Sequence, residues 1–238
     1  MIHVLLFILG CCVGSFANVV FTRKDWYKGR SRCDICGYTL RWYELVPVIS
    51  FLLLGGKCRK CKTKIDTSHL ISELMMGAAF LVSSFCFTRY GIGYGVVAMT
   101  ALFCMAVAAI EDYKEQMVYS FILNGGIIAT TLTKCGYYIY LCEYSSALTL
   151  IVFVFMLKLI MRFGSIILKD KLGSGDWDIF LVIFVLGEAQ GFILSITFAS
   201  LLGCIIYLPQ IILKKRDRKD PFPFIPFLLM GTMGYLLI

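Results

Sequence analysis

Two aspartates carry the most pointed chemistry available to this chain: Asp112, which follows the apolar run 95–110, and Asp176, which closes Gly173-Ser174-Gly175-Asp176 just before an apolar run starting at Trp177. Two carboxyl groups held close together cannot both ionise easily, so they share one proton and can activate water against a peptide carbonyl. Gly173 and Gly175 lack a Cβ, which allows a tight turn and close approach of a peptide backbone beside Asp176. Each aspartate also has a plain structural reading. Asp176 could cap a following helix, and Asp112 could be one charge of a solvated Glu111-Asp112-Tyr113-Lys114-Glu115 loop. A lone G-x-G-D is unspecific, so the elements that would bring the two together decide the matter.

A second constellation is more specific. Four of the 11 cysteines form Cys33-Asp34-Ile35-Cys36 and Cys58-Arg59-Lys60-Cys61. Two C-x-x-C knuckles at this separation form the zinc-ribbon pattern, in which four thiolates complete a tetrahedral site. With every ligand supplied by protein no open position remains, so such a metal holds the segment together and does not cleave bonds. The competing reading is a redox dithiol pair. Cys11, Cys12, Cys86, Cys104, Cys135, Cys142 and Cys204 lie in or beside apolar runs and read as small buried hydrophobes. His3 and His69 are the only histidines, which leaves a His-dependent triad short of parts.

The surrounding composition names the solvent. With 59% hydrophobic and only 16% charged residues and a mean hydropathy of +0.82, the chain lies well beyond the ~45–50% apolar share of soluble domains. An all-α polytopic membrane protein follows, with about eight transmembrane helices and a small cytoplasmic zinc-ribbon insertion. Spans are expected at 1–21, 69–87, 91–110, 119–141, 147–161, 177–186, 193–213 and 222–238, the sixth of them short. No basic region precedes the first span and no small-x-small cleavage site follows it, so it reads as a retained helix. The organisation is a first helix over 1–22, a ribbon segment over 23–68, and helices carrying both aspartates over 69–238.

The net charge of +8 is distributed unevenly. Arg23, Lys24, Lys28, Arg30, Arg32, Arg41, Lys57, Arg59, Lys60, Lys62 and Lys64 all lie between the first two spans, which places that segment in the cytoplasm. Alternate crossings then put 112–118, 162–171 and the Lys214, Lys215, Arg216, Arg218, Lys219 cluster inside, and put both termini outside. Omitting the short span would strand the last cluster on the outer side. Both aspartates come to the cytoplasmic membrane edge, where they can meet. The basic residues report orientation and attraction to anionic lipid, with no need of nucleic acid.

Taken together, these residues resemble the type IV prepilin peptidases, which are bifunctional leader peptidases and N-methyltransferases. Gly14-Ser15-Phe16-Ala17-Asn18-Val19-Val20 looks like the family's G-S-F-x-N-V motif, and the double C-x-x-C ribbon follows in the family's place. Residues 65–74, with Glu73, resemble the acidic start of its second helix. Asp112 to Val118 is similar to the first catalytic aspartate motif, and Leu172 to Asp176 to the second. Departures are Tyr119 for Pro, Ser120 for an acidic or amide residue, Asp178 for Lys, and Asp34 where Pro commonly follows the first Cys.

The resemblance implies a bacterial plasma-membrane enzyme that cuts a prepilin or competence pseudopilin after a glycine, where a basic leader meets a hydrophobic helix. The new N-terminus would then be methylated from S-adenosylmethionine. Asn18 and Glu73 become candidates for substrate or methyl-transfer contacts, with helix packing as the plain alternative. The apolar segment 46–54 is too short to span and either dips into the membrane interface or packs on the ribbon. Two other classes compete. A membrane thiol oxidoreductase would use the C-x-x-C pairs, and a small transporter would need charges inside its spans, where none is expected here.

Overall fold

The structure is a computed structural model that describes residues 1–22, 30–33, 35–116, 118–167, 174–213 and 222–238, with backbone alone at 21–22, 161–167 and 174–176. Among the described residues the regular elements are all helices, with no β-strand. In chain order they form α1 (Ile2–Thr22), a 3-10 turn (Trp42–Glu44), α2 (Ile49–Leu53), α3 (Thr67–Glu115), α4 (Ser120–Tyr140), α5 (Tyr144–Ile167), α6 (Ser174–Ile212) and α7 (Ile225–Leu237). By length and composition, three of them, α1, α3 and α6, are able to cross a membrane.

Two long helices are each interrupted once. In α3, Gly91 takes φ 85° and ψ 173°, a region open essentially to glycine alone. In α6 the interruption falls on Glu188, at φ 54° and ψ −154°. The break at Glu188 lies in the connection expected at 187–191, and that at Gly91 falls on the first residue of the expected third span, directly after the connection at 88–90. At the other end of α3 the helix runs on through Glu111 and Asp112 to Glu115 before Gln116 turns to φ 53°. This corrects the reading of 111–115 as a solvated loop: these residues continue α3, and Glu111 is buried.

The chain divides into two compact units, Met1–Leu81 and Val82–Ile238. Within the first, α1 lies very close to the early turns of α3. A Cβ on Gly10 would stand 2.7 Å from the Met76 carbonyl oxygen, and one on Gly14 2.6 Å from that of Ser72. Gly10 and Gly14 thus form the small-residue stripe that lets apolar helices approach backbone to backbone.

Within the second unit α6 packs on α4, α5 and α7. Leu102, Met105, Ile110, Ile179, Leu181 and Leu228 are fully buried there. Gly231 of α7 lies so close to Ser195 of α6 that a Cβ would collide with the Ser195 carbonyl.

Two expectations about buried groups need correction. Charges do lie inside the apolar helices: Lys134 of α4 is buried, and Lys158 of α5 is partly so. Lys134 Nζ stands 3.2 Å from Glu188 Oε1 and donates to the Leu186 carbonyl at 3.4 Å, a carbonyl next to the interruption in α6. A cation is tolerated there because broken helical backbone needs a donor. The apolar-run cysteines are also not uniformly buried. Cys11, Cys86 and Cys135 are, whereas Cys12, Cys142 and Cys204 are exposed on the chain.

Candidate active site and metal centre

Each cysteine knuckle is a short turn closed by its own backbone. Cys33 N–H donates to Tyr38 O at 2.9 Å and Gly37 N–H to Cys33 O at 3.0 Å. The second knuckle repeats this, with Cys58 N–H to Thr63 O at 2.9 Å and Lys62 N–H to Cys58 O at 3.0 Å. Isolated antiparallel bridges, Arg32 with Thr39 and Lys57 with Lys64, close the two turns. The residue after the second cysteine must turn left-handed in both, at φ 65° in Gly37 and φ 58° in Lys62.

The four Sγ atoms lie within 4.8 Å of one another. Cys33 to Cys61 and Cys36 to Cys58 are each 3.9 Å. A tetrahedral ion with metal–sulfur bonds of ~2.3 Å requires sulfurs ~3.8 Å apart, so the donor set fits a metal as it stands. The environment favours thiolate at two corners. Thr63, through its hydroxyl at 3.2 Å from Sγ and its backbone, draws the Cys61 thiol down to about 6. Backbone N–H groups of Cys36 and Ile35 lower Cys33. Cys36 also receives the Tyr38 N–H, which lowers it, but burial and the other three thiols together push it up to about 11. Crowded thiolates repel, and a cation at their centre relieves that repulsion.

Asp112 sits near the C-terminal end of α3, and its Oδ2 accepts the main-chain N–H of Ile225 at 2.9 Å. Ile225 opens α7, Pro226 follows it in the first turn, and the N-cap residue Phe224 has no side-chain cap of its own. Asp112 therefore caps α7 from a different helix. Next to it, Glu111 Oε2 accepts Tyr119 N–H at 3.4 Å, while its buried Oε1 has no hydrogen-bond partner.

The backbone of Asp176 lies in the first turn of α6. Its side chain and Gly173 are outside the described residues; Gly175 follows Ser174 in that same turn. Two residues beyond Asp176, Asp178 Oδ1 stands 3.4 Å from Lys158 Nζ of α5. Lys158 also donates to Asn124 Oδ1 of α4. This polar node ties three helices together at the start of α6. Sequence reasoning missed it, although a lone lysine in the otherwise apolar 147–161 was a usable signal.

The supporting candidates in the first unit are both buried. Asn18 of α1 donates from Nδ2 to Ser72 Oγ at 2.8 Å, and the Ser72 hydroxyl in turn donates to the His69 carbonyl at 2.8 Å. Glu73 Oε2 accepts the N–H of Val48, the N-cap of α2, at 2.7 Å. Both residues thus make packing contacts.

Comparison with known proteins bears on the whole chain. The family model described as "Bacterial Peptidase A24 N-terminal domain" matches residues 8–90. The "Prepilin leader peptidase/N-methyltransferase" of Myxococcus xanthus is 40% identical over 108 residues, which is 44% of this chain and 31% of that protein. The identically named protein of Stutzerimonas stutzeri is 25% identical over 97% of this chain and 88% of its own length. That of Bacillus subtilis is 27% identical over 98% of this chain and 93% of its own length. No solved structure matches. The N-terminal domain match includes Cys33, Cys36, Cys58 and Cys61, and the similarity to proteins named prepilin leader peptidase/N-methyltransferase continues past both aspartates over nearly the whole chain.

Proposed function

We propose that this chain is a membrane aspartyl endopeptidase that removes the leader peptide of type IV prepilins or competence pseudopilins at the cytoplasmic membrane face, followed by N-methylation of the new N-terminus. The observation that carries the reading is the placement of Asp112 at the end of α3 and Asp176 in the first turn of α6, in a chain related over nearly its full length to proteins so named. The topology is eight crossings with both termini outside. The interruptions at Gly91 and Glu188 support it, since each divides a helix of 49 or 39 residues into two spans, against the ~20 residues one crossing needs.

In the mechanism the two carboxyl groups hold one proton between them. The ionised member takes a proton from water as its oxygen attacks the scissile carbonyl carbon, while the protonated member donates to the carbonyl oxygen. Collapse of the tetrahedral diol breaks the C–N bond: the proton taken from water passes to the leaving amine while one diol hydroxyl returns its proton to the other carboxylate, which restores the singly protonated dyad. The apparent pKa values belong to the pair, so neither aspartate is a fixed acid or base. The N–H of Ile225 pins Asp112 without supplying a proton to the reaction.

Cys33, Cys36, Cys58 and Cys61 would hold a structural zinc. S-adenosylmethionine supplies an activated methyl group when bound. A 350 Å³ cavity in the first unit, lined by Glu44, Asp66 and Glu73 together with Arg32, Arg59 and Lys64, lies within the ~300–1,000 Å³ of small-molecule sites. The test is cleavage of a model prepilin by the purified protein in lipid, with wild type and Asp112→Asn compared. Intact substrate with wild type would refute the reading.

A further inference from the structure

The ribbon carries an apolar projection that its own packing does not use. The 3-10 turn and α2 pack on each other and are mounted on the second cysteine knuckle through Arg59. Its Nε stands 2.9 Å from Glu44 Oε1, misaligned for a hydrogen bond, and its Nη1 donates to Tyr43 Oη at 3.1 Å. Glu44 Oε2 in turn accepts the Arg41 N–H at 2.8 Å. The hairpin is therefore held to the metal module by charge-assisted contacts.

The two faces of α2 are used differently. Ser50, Phe51 and Leu54 line the ribbon cavity, and the Phe51 ring lies 3.0 Å from where a Gly56 Cβ would stand. Ile49, Leu52 and Leu53, spaced i, i+3 and i+4 on one face, are 55%, 65% and 81% exposed, with Trp42 of the adjoining turn at 77%. Large apolar side chains grouped on a mounted projection need a cover.

We infer that the face formed by Trp42, Ile49, Leu52 and Leu53 docks into the headgroup and acyl boundary of an anionic lipid bilayer, holding the cysteine module against the membrane. Three observations choose lipid as the occupant. First, the module is tethered at both ends by apolar helices, α1 ending at Thr22 and α3 beginning at Thr67, so a bilayer surface is always within reach. Second, the Glu73 contact to Val48 N–H sets the start of α2 beside the second turn of α3, level with the point where the apolar stretch of that helix begins. Third, the hairpin is bracketed by exposed Arg41 and Lys57, with Lys60, Lys62 and Lys64 following, which is the basic rim of an interfacial segment facing anionic headgroups. The inference rests on the membrane-spanning helices alone and not on the peptidase reading.

The test uses the full chain in nanodiscs of phosphatidylcholine and phosphatidylglycerol, with Trp26→Phe and Trp177→Phe leaving Trp42 as the sole indole. Interfacial segments bury their apolar face by ~5–10 Å, so lipid brominated near the glycerol end of the acyl chain should quench Trp42 emission about two-fold. Leu52→Glu with Leu53→Glu should abolish that quenching while metal content stays unchanged, showing that the ribbon still folds. Unquenched emission open to aqueous acrylamide would overturn the inference in favour of a solvated face. Unquenched emission shielded from acrylamide would overturn it in favour of cover by protein, such as a second copy. Quenching that survives the double glutamate variant would show that α2 is not the anchor. Because prepilin cleavage is not read, the peptidase reading stands or falls separately.

Discussion

Asp112 of α3 and Ile225 of α7 are joined by a 2.9 Å hydrogen bond from the Ile225 N–H to the carboxylate. A residue proposed for catalysis is thus also the cap of another helix, and its substitutions should divide accordingly. Asparagine keeps an oxygen able to accept this N–H, so Asp112→Asn should leave the thermal midpoint nearly unchanged while lowering leader cleavage by ~10³-fold or more. Asp112→Ala removes the cap too and should cost about 1 kcal/mol of stability in addition.

The paired substitution tests whether the aspartates act as one unit. Asp176→Asn should cost as much as Asp112→Asn, and the double variant little more than either. Glu111→Gln should keep substantial activity, since residues adjacent on a helix point ~100° apart and glutamine still offers an acceptor to Tyr119 N–H. Normal cleavage by both aspartate variants would end the aspartyl mechanism.

Zinc content should be one per chain, by elemental analysis of the purified protein, and should fall in each of the Cys33, Cys36, Cys58 and Cys61 serine variants. Coordination energy is folding energy in a module this small, so loss of metal should open the ribbon to limited proteolysis while the helices stay protected. A disulfide in place of metal in the wild type would favour redox chemistry.

Lys158 reaches Asp178 and Asn124, which fastens the start of α6 two residues from Asp176. Lys158→Met should therefore lower kcat about 10- to 100-fold with a smaller change in KM, because small displacements of a reacting group are costly. Partial recovery with Lys158→Arg would separate positioning from bulk stability.

At the other end of the second unit, Lys134→Met should lower stability by about 1–3 kcal/mol, the worth of hydrogen bonds from a charged donor to the Leu186 carbonyl and Glu188. Glu188→Gln should cost less, because its side chain is 67% exposed against 4% for Lys134. The comparison is a difference in thermal midpoint between the two variants.

The cysteine module was legible in the sequence because its geometry is local. Two residues between each pair of ligands and a left-handed turn after the second build a knuckle without help from elsewhere, and four sulfurs meet at 3.9 Å across the knuckles. Apolar helices were equally plain, as was the sequence position of their breaks, since hydropathy and a glycine such as Gly91 are properties of a short window. What only tertiary structure decided is which polar groups meet. Asp112 and Ile225 are 113 residues apart, Lys134 and Glu188 are 54, and no window contains either pair. Lys134 of α4 finds its acceptors only in the folded chain, at Glu188 and at the Leu186 carbonyl beside the broken turn of α6. Asn18 and Glu73 were picked by resemblance, and the fold supplies their partners, Ser72 and the Val48 N–H. The choice left open for 46–54 turned on exposure: packing covers one face of α2 and leaves Leu52 and Leu53 bare, because burial is set by neighbours in space and not by neighbours in sequence.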